Sequence, residues 1–279
     1  MIIALFPSHS HKDSEDLCNL ILDFFKQNNI TVVAEEEDAN RLNIPKIDSV
    51  DPKEIKFLLS MGGDGTILNI AHRHMDLDAA ILGINLGHLG FMADIPISDV
   101  KASLQDLLSG AYTIENRIII EGTAPNNKIS YVLNDFVIHR AKNSSLIELS
   151  IYVDDLYLNT FEADGIILST PNGSTAYSLA AGGPILSPSL NGVVITPICP
   201  HTISNRPIVL TTDHTIKIEY LSEYDPIEVV ADGLEHFQLK QREYFTFKKS
   251  DKVFKLVNLN RRDYFSTLRT KLGWSGKLR

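Results

Sequence analysis

The spacing of apolar residues changes near Gly110, and this change divides the chain into two parts of different fold class. Before Gly110, short apolar runs alternate with segments whose apolar residues recur every three or four positions. That alternation is typical of strands and helices that build a parallel sheet. After Gly110, β-rich runs follow one another with turn residues between them, which is typical of antiparallel sheets.

The sequence therefore predicts an α/β domain over 1–110, a β-rich, sandwich-like domain over 111–255 and a basic tail over 256–279. In the first domain we expect helices over 13–28, 67–73 and 98–108, and strands over 2–6, 30–34, 56–60 and 80–85. In the second we expect strands over 117–121, 131–139, 147–153, 165–169, 192–196, 215–220, 227–231 and 244–248. We expect the tail, whose basic residues include Lys277 and Arg279, to pack back on the first domain.

Charge and cysteine content exclude several classes of protein. The 35 acidic residues outnumber the 26 basic ones, so a protein that binds nucleic acid by bulk charge is disfavoured. Cys18 and Cys199 lie far apart and show neither zinc-ligand spacing nor a disulfide framework. No apolar stretch approaches the roughly 18 residues of a membrane span, and the start does not resemble a signal peptide. The sequence thus predicts a cytoplasmic protein without a membrane partner.

The most informative local segment is Gly-Gly-Asp-Gly-Thr at 62–66, between a predicted strand and a predicted helix. Glycines there expose backbone N–H groups, and the positive end of the helix adds to them, so phosphate is the natural ligand. A plain tight turn is the alternative, although it needs only about one glycine. The segment lacks the lysine of a Walker loop, and Leu68 replaces the third glycine of a dinucleotide fingerprint. The phosphate-binding residues we predict are Gly62, Gly63, Gly65 and Thr66.

Asp64 places a negative charge inside this anion-binding loop, so a role other than phosphate binding is expected. It could hold a divalent cation or accept a proton from an attacking hydroxyl. Because a free aspartate has a pKa of about 3.9, it can take that proton only as the new O–P bond forms. A turn-capping role is the alternative.

Asn134 and Asp135 interrupt an otherwise apolar β run. Asparagine both donates and accepts hydrogen bonds, whereas aspartate only accepts them. This pair suits the edge of a purine, where an exocyclic amine donates and ring nitrogens accept. A hairpin turn or a bulge explains the two residues equally well.

A third polar segment runs from Asp164 to Ser178. Its Pro-Asn-Gly step at 171–173 predicts a turn, and we expect Ser174 or Thr175 to cap the short helix that follows. Hydroxyls, backbone N–H groups and Tyr177 near a helix start indicate a ligand-binding loop. A Ser-His-Asp hydrolase is disfavoured, because no GxSxG elbow surrounds a serine here.

Together, these segments resemble the NAD kinases, in order, from about residue 55 to about residue 235. The resemblance is carried by GGDGT at 62–66, GINLGHLGF at 83–91, Asn134-Asp135, Asp164-Gly165, TPNGSTAYSLAAGGPI at 170–185, PICPHT at 197–202 and Asn205-Arg206-Pro207. GGDGT alone is weak, since lipid kinases and phosphofructokinases carry related stretches, but the combination is specific.

The resemblance implies phosphorylation of the 2′-hydroxyl on the adenosine ribose of NAD, with ATP or polyphosphate as donor, to give NADP. It implies that Asp64 accepts the proton, that Gly65 contacts the nucleotide and that Asn134 and Asp135 read the adenine. The NAD-binding residues it implies are Asp64, Gly65, Asn134, Asp135, Asp164, Thr175, Ala176, Tyr177, Ser178, Leu179 and Ala180.

The resemblance also implies a divalent cation, usually magnesium, with ATP as co-substrate, and a homodimer or homotetramer. Its fold would be a Rossmann-like or phosphofructokinase-like parallel sheet followed by a β-rich domain, with a cleft between them. Three positions depart from the family pattern, Ser145 and Glu162 where basic residues are common and Leu234 where glutamine is common. We therefore assign none of the three as a contact.

Two other functions compete with this one. A diacylglycerol-type lipid kinase is disfavoured, because no amphipathic membrane element lies near the glycine-rich loop. A nucleotide-sensing protein without turnover is the second alternative. Asp64 discriminates between sensor and kinase, because a sensor has no need of it.

Overall fold

A computed structural model describes residues 1–9, 11, 14–87, 89–202 and 206–274 of the chain. His88, Asn205, Lys277 and Arg279, which the sequence patterns include, lie outside the described residues. The chain forms two compact units, Met1–Asn116 with Lys255–Arg279, and Arg117–Phe254.

The described secondary structure consists of seventeen strands, six α-helices and four short 3-10 helices. The strands are β1 (Ile2–Phe6), β2 (Thr31–Val33), β3 (Ile55–Met61), β4 (Ala80–Asn85), β5 (Ala93–Pro96), β6 (Thr113–Thr123), β7 (Ile129–Val132), β8 (Asp135–His139), β9 (Ile147–Val153), β10 (Leu156–Ala163), β11 (Gly165–Ser169), β12 (Gly192–Ile198), β13 (Ile208–Thr211), β14 (Ile216–Tyr220), β15 (Ile227–Ala231), β16 (Glu235–Leu239) and β17 (Tyr244–Asn258). The helices are α1 (Ser14–Gln27), α2 (Glu36–Leu42), α3 (Asp64–Arg73), α4 (Val100–Ser109), α5 (Tyr177–Ala180) and α6 (Tyr264–Leu272). None of the described helices has the length and hydropathy to cross a membrane.

The first unit is built on a parallel sheet whose strands lie in the order β2-β1-β3-β4, with β5 also beside β4. Strands β1 and β4 are buried along their whole length, as expected of parallel strands covered on both faces. Leu17, Ile21 and Phe25 recur at helical spacing on α1 and pack into the core of this unit. The predicted parallel α/β architecture is confirmed.

The second unit consists of antiparallel strands. One set lies in the order β10-β9-β14-β17, and a six-stranded sheet has the order β13-β12-β11-β8-β15-β16. Apolar side chains of both sets share one core, which includes the rings of Phe136, Phe237, Phe245 and Phe247. The predicted β-rich, sandwich-like architecture is confirmed, and β8 is a buried central strand that begins at Asp135.

Several element boundaries differ from those predicted. The run predicted as one strand over 131–139 is two strands, because β7 ends at Val132 and β8 begins at Asp135. Helix α3 begins at Asp64, inside the glycine-rich segment, and β17 continues to Asn258. The strands absent from the prediction are β5, β10, β13 and β16.

The tail packs against the rest of the first unit, with contacts that include those of Arg261 and of helix α6. Arg261 forms an ion pair with Asp106 on α4 at 2.6 Å. Lys271 on α6 donates a hydrogen bond to the carbonyl of Leu89 at 2.9 Å and lies 4.9 Å from the centre of the Phe91 ring. Helix α6 is therefore packed beside the segment that follows β4.

Candidate active site

The glycine-rich segment forms the turn between β3 and the N-terminus of α3. The N–H of Gly62 is bonded to the carbonyl of Ile84 at 2.9 Å, while Gly63 is the N-cap of α3. The first N–H groups of a helix have no intrahelical acceptor, so those of Asp64 and Gly65 can bind an anion. The predicted strand, turn and helix are thus present, and phosphate binding at this turn stays a prediction.

The structural requirement for glycine differs among the three glycine positions of the turn. A Cβ at Gly62 would lie 2.3 Å from Oγ1 of Thr66, so internal packing excludes a side chain there. At Gly63 and Gly65, an added Cβ meets nothing within 4 Å. Packing within the protein does not require glycine at those two positions, whereas close approach of a ligand to the backbone would.

The carboxylate of Asp64 is held by backbone donors from the segment after β4. Its Oδ2 accepts from the N–H of Phe91 at 2.8 Å, and its Oδ1 accepts from the N–H groups of Met92 and Ala93, each at 3.0 Å. A carboxylate has about four acceptor positions, and hydrogen bonds between described residues occupy three of them, which leaves one position on Oδ2. The turn-capping alternative is therefore incomplete, because Asp64 fixes a loop 27 to 29 residues away.

The second unit contains a cavity of about 650 Å³, within the roughly 300–1,000 Å³ range of small-molecule sites. Five residues that the sequence predicted line it, namely Asn134, Asp135, Asp164, Ala176 and Tyr177. Sequence reasoning did not assign His139, Arg140 or Asp232 to a site, although all three line the same cavity. The structure thus groups three distant segments around one cavity.

The backbone that carries Asn134 and Asp135 is held by Asp232. The Asp232 carboxylate accepts from the N–H of Leu133 at 2.7 Å and from the N–H groups of Asn134 and Asp135, each at 2.9 Å. The N–H of Asp232 in turn donates to the carbonyl of Asp135 at 3.0 Å. Asn134 and Asp135 are thereby presented at the start of β8, as neither a hairpin turn nor a bulge.

Asp135 is a buried acid, with 6% of its surface exposed. Burial, together with the smaller effect of the nearby Asp232 charge, raises the pKa of Asp135 to about 7. A buried carboxyl with a strongly raised pKa in a cavity is a feature of functional sites. Near neutral pH this group therefore exists in both the ionised and the protonated form.

Asp164 contributes a second acid to the cavity wall. Its Oδ1 lies 2.7 Å from Nε of Arg140, and Arg140 also donates to the carbonyl of Asn143. Arg140 is half-exposed and pairs with Asp164 through Nε, so its other N–H groups can still donate to a bound anion. Arg140 is thus a cation in the cavity wall, whereas Glu162 is acidic at a position where basic residues are common in the family pattern.

The loop after β11 places its residues differently. Tyr177 is exposed and lines the cavity together with Ala176. Ser178 is buried, with its Oγ 2.9 Å from Oγ1 of Thr196, and Thr175 donates to the carbonyl of Asn172 at 3.1 Å. Leu179 and Ala180 follow on α5.

The expected helix cap is wrong. Ala176 is the N-cap of α5 and no side chain caps the helix. The Ser174 hydroxyl instead donates to the carbonyl of Pro171 at 2.7 Å and accepts from the N–H of Leu186 at 2.9 Å. The buried hydroxyl of Ser174 therefore joins the turn before α5 to the segment that follows the helix.

Comparison with known proteins decides the family. The ATP-NAD kinase N-terminal domain matches residues 12–112, and the ATP-NAD kinase C-terminal domain matches residues 133–259. An NAD kinase of Protochlamydia amoebophila is 51% identical over 278 residues, covering 100% of both chains. The chain belongs to the NAD kinase family.

Two solved structures have the same fold as this NAD kinase family member. Yeast NADH kinase, crystallised with NADH, superposes with a TM-score of 0.86 at 23% identity, covering 100% of this chain and 89% of that chain. An NAD kinase from Archaeoglobus fulgidus, in complex with ATP, has a TM-score of 0.76 at 24% identity, covering 98% and 99%. The resemblance read from the sequence is confirmed, and the lipid-kinase and sensor alternatives are not favoured.

Gly173→Ala is expected to destabilise the second unit of this NAD kinase family member. The added Cβ would lie 2.2 Å from the backbone oxygen of Asn134, and a backbone atom cannot move aside as a side chain can. We expect a loss of about 1–3 kcal/mol in the free energy of unfolding, measured by urea denaturation. Gly192→Ala is the control, because its Cβ would come no closer than 3.2 Å to a neighbour. Equal stability of the two variants would contradict the close approach at Gly173.

Proposed function

We propose that this chain transfers the γ-phosphoryl group of ATP to the 2′-hydroxyl on the adenosine ribose of NAD, giving NADP and ADP. The observation that carries the proposal is the 51% identity to an NAD kinase over 278 residues. The chain also has an aspartate, Asp64, in its glycine-rich turn. The bond that forms joins the ribose oxygen to the γ-phosphorus, and the bond that breaks joins that phosphorus to the β-γ bridging oxygen.

In this proposal, Asp64 accepts the proton of the 2′-hydroxyl. The three N–H donors from residues 91–93 fix the direction of its carboxylate, and the open acceptor position on Oδ2 receives the hydroxyl. Since an alcohol is a far weaker acid than a carboxylic acid, proton transfer accompanies O–P bond formation. Positioning and charge neutralisation then account for most of the rate enhancement.

The phosphates of ATP bind the turn at Gly62, Gly63, Gly65 and Thr66 in this proposal. Exposed N–H groups at the start of α3 and the open space over Gly63 and Gly65 support this assignment. The adenine of NAD binds the cavity of the second unit, where Asn134 and Asp135 read its edge. Asp164, Ala176 and Tyr177 line the same cavity, and the exposed Tyr177 ring offers an aromatic surface to a base. Thr175, Ser178, Leu179 and Ala180 shape the loop that carries them.

A divalent cation supplies charge neutralisation for the transferring phosphoryl group when it is bound. Among the described residues, no three His, Cys, Asp or Glu side chains are grouped to hold a metal. This agrees with a magnesium ion that enters with the triphosphate and keeps several waters, rather than one held in a cage of protein ligands. We further propose cytoplasmic action and a homodimer or homotetramer.

Purified protein incubated with NAD, ATP and magnesium is expected to form NADP, measured by an NADP-specific dehydrogenase in a coupled assay. Chelation of magnesium by EDTA is expected to stop the reaction. Nicotinamide mononucleotide, which lacks the adenosine ribose, is the control substrate and should not be phosphorylated. A parallel reaction with polyphosphate determines the donor range. Folded protein that forms no NADP with ATP would refute the proposed function.

A further inference from the structure

A buried arginine outside the cavity is linked to Asn134 by a chain of hydrogen bonds. Arg117 on β6 is 6% exposed, and its Nη1 donates to Oδ1 of Asn172 at 3.1 Å. Nδ2 of Asn172 then donates to Oδ1 of Asn134 at 2.7 Å. Three side chains from three segments of the second unit thus form one directed series, and only Asn134 belongs to the cavity wall.

The direction of this series follows from the chemistry of the arginine. A guanidinium group only donates hydrogen bonds and does not lose its charge in proteins. Asn172 must therefore turn its carbonyl oxygen toward Arg117, which turns its NH2 group toward Asn134. Asn134 must in turn present its carbonyl oxygen to Asn172. The arginine therefore fixes the orientation of both amides.

The orientation leaves the NH2 group of Asn134 for the cavity. Hydrogen bonds between described residues do not use Nδ2 of Asn134, whereas Oδ1 is occupied by Asn172. The backbone of Asn134 is fixed on both sides, by Asp232 at its N–H and by Thr170 at its carbonyl, at 2.9 Å and 2.8 Å. The hydrogen bond from Asn172 then restrains the side chain of Asn134 and fixes which end of its terminal amide faces the cavity.

We propose that Arg117 is a positioning residue that acts through Asn172 to make Asn134 a hydrogen-bond donor toward the base. The cavity then offers a donor from Asn134 beside the acidic group of Asp135, a pattern that fits a ring nitrogen next to an exocyclic amine. Adenine carries this pair, N6 with N1, on its Watson–Crick edge. A 6-oxopurine replaces the amine by a carbonyl oxygen, which an ionised Asp135 repels, and carries a hydrogen on N1, so the NH2 group of Asn134 finds no acceptor there. The inference rests on the proposed function, because it places the adenine of NAD at Asn134 and Asp135.

Asn172→Asp is the decisive variant, because it keeps the shape of the side chain and reverses one bond of the series. The new carboxylate accepts from Arg117 and can only accept from Asn134, so the Asn134 amide turns over and presents its oxygen to the cavity. Adenine then meets an acceptor where it needs a donor. We expect the dissociation constant for NAD to rise by roughly tenfold or more, the effect of one lost hydrogen bond.

Selectivity separates this positioning role from a merely structural one. Binding of NAD and of nicotinamide hypoxanthine dinucleotide is measured by calorimetry, together with the melting temperature. We expect the preference for NAD to fall by roughly tenfold in Asn172→Asp, while the melting temperature holds or rises because a charge pair with Arg117 forms. Folded Asn172→Asp protein with an unchanged preference would overturn the proposal.

A double-mutant cycle and a second substitution complete the test. In an Asn134→Ala background, Asn172→Asp should not change the preference further, because the group on which it acts is gone. A further change in that background would also overturn the proposal. If Asn172→Asp does not fold, Arg117→Lys and Arg117→Gln take its place. Lysine only donates and should keep the preference, whereas glutamine both donates and accepts and should lower it.

Failure of this inference is distinguishable from failure of the proposed function. Wild-type protein that binds NAD but forms no NADP would refute the kinase activity and leave the calorimetric comparison intact. Wild-type protein that forms NADP while Asn172→Asp keeps its base preference would refute the positioning role alone.

Discussion

Replacement of Asp64 by asparagine is expected to lower the kcat of NADP formation by about 10²–10⁴-fold, the usual contribution of a positioned proton acceptor. The amide cannot take the proton of the 2′-hydroxyl, while the shape of the side chain is retained. The dissociation constant for NAD should change only a few-fold, because adenine recognition is assigned to the cavity of the second unit. Single-turnover kinetics and calorimetric NAD binding measure the two quantities separately. Near-normal kcat in this variant would remove Asp64 from its assigned role.

Asp64→Asn also disturbs a loop, so the experiment needs a control for position. Asparagine keeps one acceptor oxygen, and its NH2 group would face one of the N–H donors of residues 91–93. Gly90→Ala keeps the Asp64 side chain as an aspartate. The added Cβ would lie 2.1 Å from Oδ1 of Asp64, so the Asp64 carboxylate must move. Gly87→Ala, in the same segment, adds a Cβ that meets nothing within 4 Å.

We expect kcat to fall in Gly90→Ala and to stay unchanged in Gly87→Ala. A fall in the first variant with an intact carboxylate would show that the direction of the Asp64 side chain matters as well as its charge. If Gly90→Ala has the wild-type kcat, catalysis does not depend on the position in which the three backbone donors hold the Asp64 carboxylate. A fall in kcat in Asp64→Asn then reflects the loss of the acid and not the disturbance of the loop.

Local patterns predicted the elements that carry the site, because those patterns arise from burial. The strand before the glycine-rich turn and the central strand β11 were predicted since continuous apolar runs mark buried strands. Helix α3 begins three residues earlier than its apolar pattern because Asp64, Gly65 and Thr66 belong to its first turn and carry no apolar signal. Edge strand β10 was missed because its Leu156 and Tyr157 are exposed, so no alternation of burial accompanies it.

The residues that hold the site in place could not be predicted, because their partners are far away in sequence. The Asp232 carboxylate occupies the N–H groups of residues 133–135, and this interrupts the run predicted as one strand. Asp232 lies 97 to 99 residues from those groups, and Arg117 lies 55 residues from Asn172. Short-range spacing carries no information on such pairs. Sequence patterns therefore pointed to Asn134 and Asp135, which we assign to ligand binding. The fold was needed to find Asp232 and Arg117, which orient them.

Asp135→Asn is expected to stabilise the ligand-free protein near neutral pH. Hydrogen bonds between described residues do not reach the Asp135 carboxyl oxygens, and burial beside Asp232 raises its pKa from 3.8 to about 7. Between those two values the folded protein holds a proton that the unfolded chain releases. The stability contributed by this proton is complete below the lower value and is lost as the pH rises through about 7.

The direction of this pH dependence of stability can be measured by comparing the wild-type protein with Asp135→Asn, which has a side chain of the same shape. Relative to Asp135→Asn, the wild-type free energy of unfolding should fall by about 3 kcal/mol between about pH 5 and about pH 8, at roughly 1.4 kcal/mol per pKa unit. Urea denaturation at the two pH values gives the difference. A parallel pH dependence in the two proteins would contradict a raised pKa at Asp135.

Asp135→Ala is expected to weaken NAD binding by about 10–100-fold without a loss of melting temperature, because the amine of adenine loses its acceptor while the fold loses a buried charge. Because an ionised carboxyl accepts from that amine more strongly than a protonated one, the wild-type dissociation constant should also rise, by up to about tenfold, from about pH 8 to about pH 6. The alanine variant should lack this pH dependence. A fall in melting temperature of the ligand-free Asp135→Ala protein that accompanies the fall in affinity would identify Asp135 as a structural residue. Removal of a group that serves only the ligand should leave the ligand-free protein no less stable.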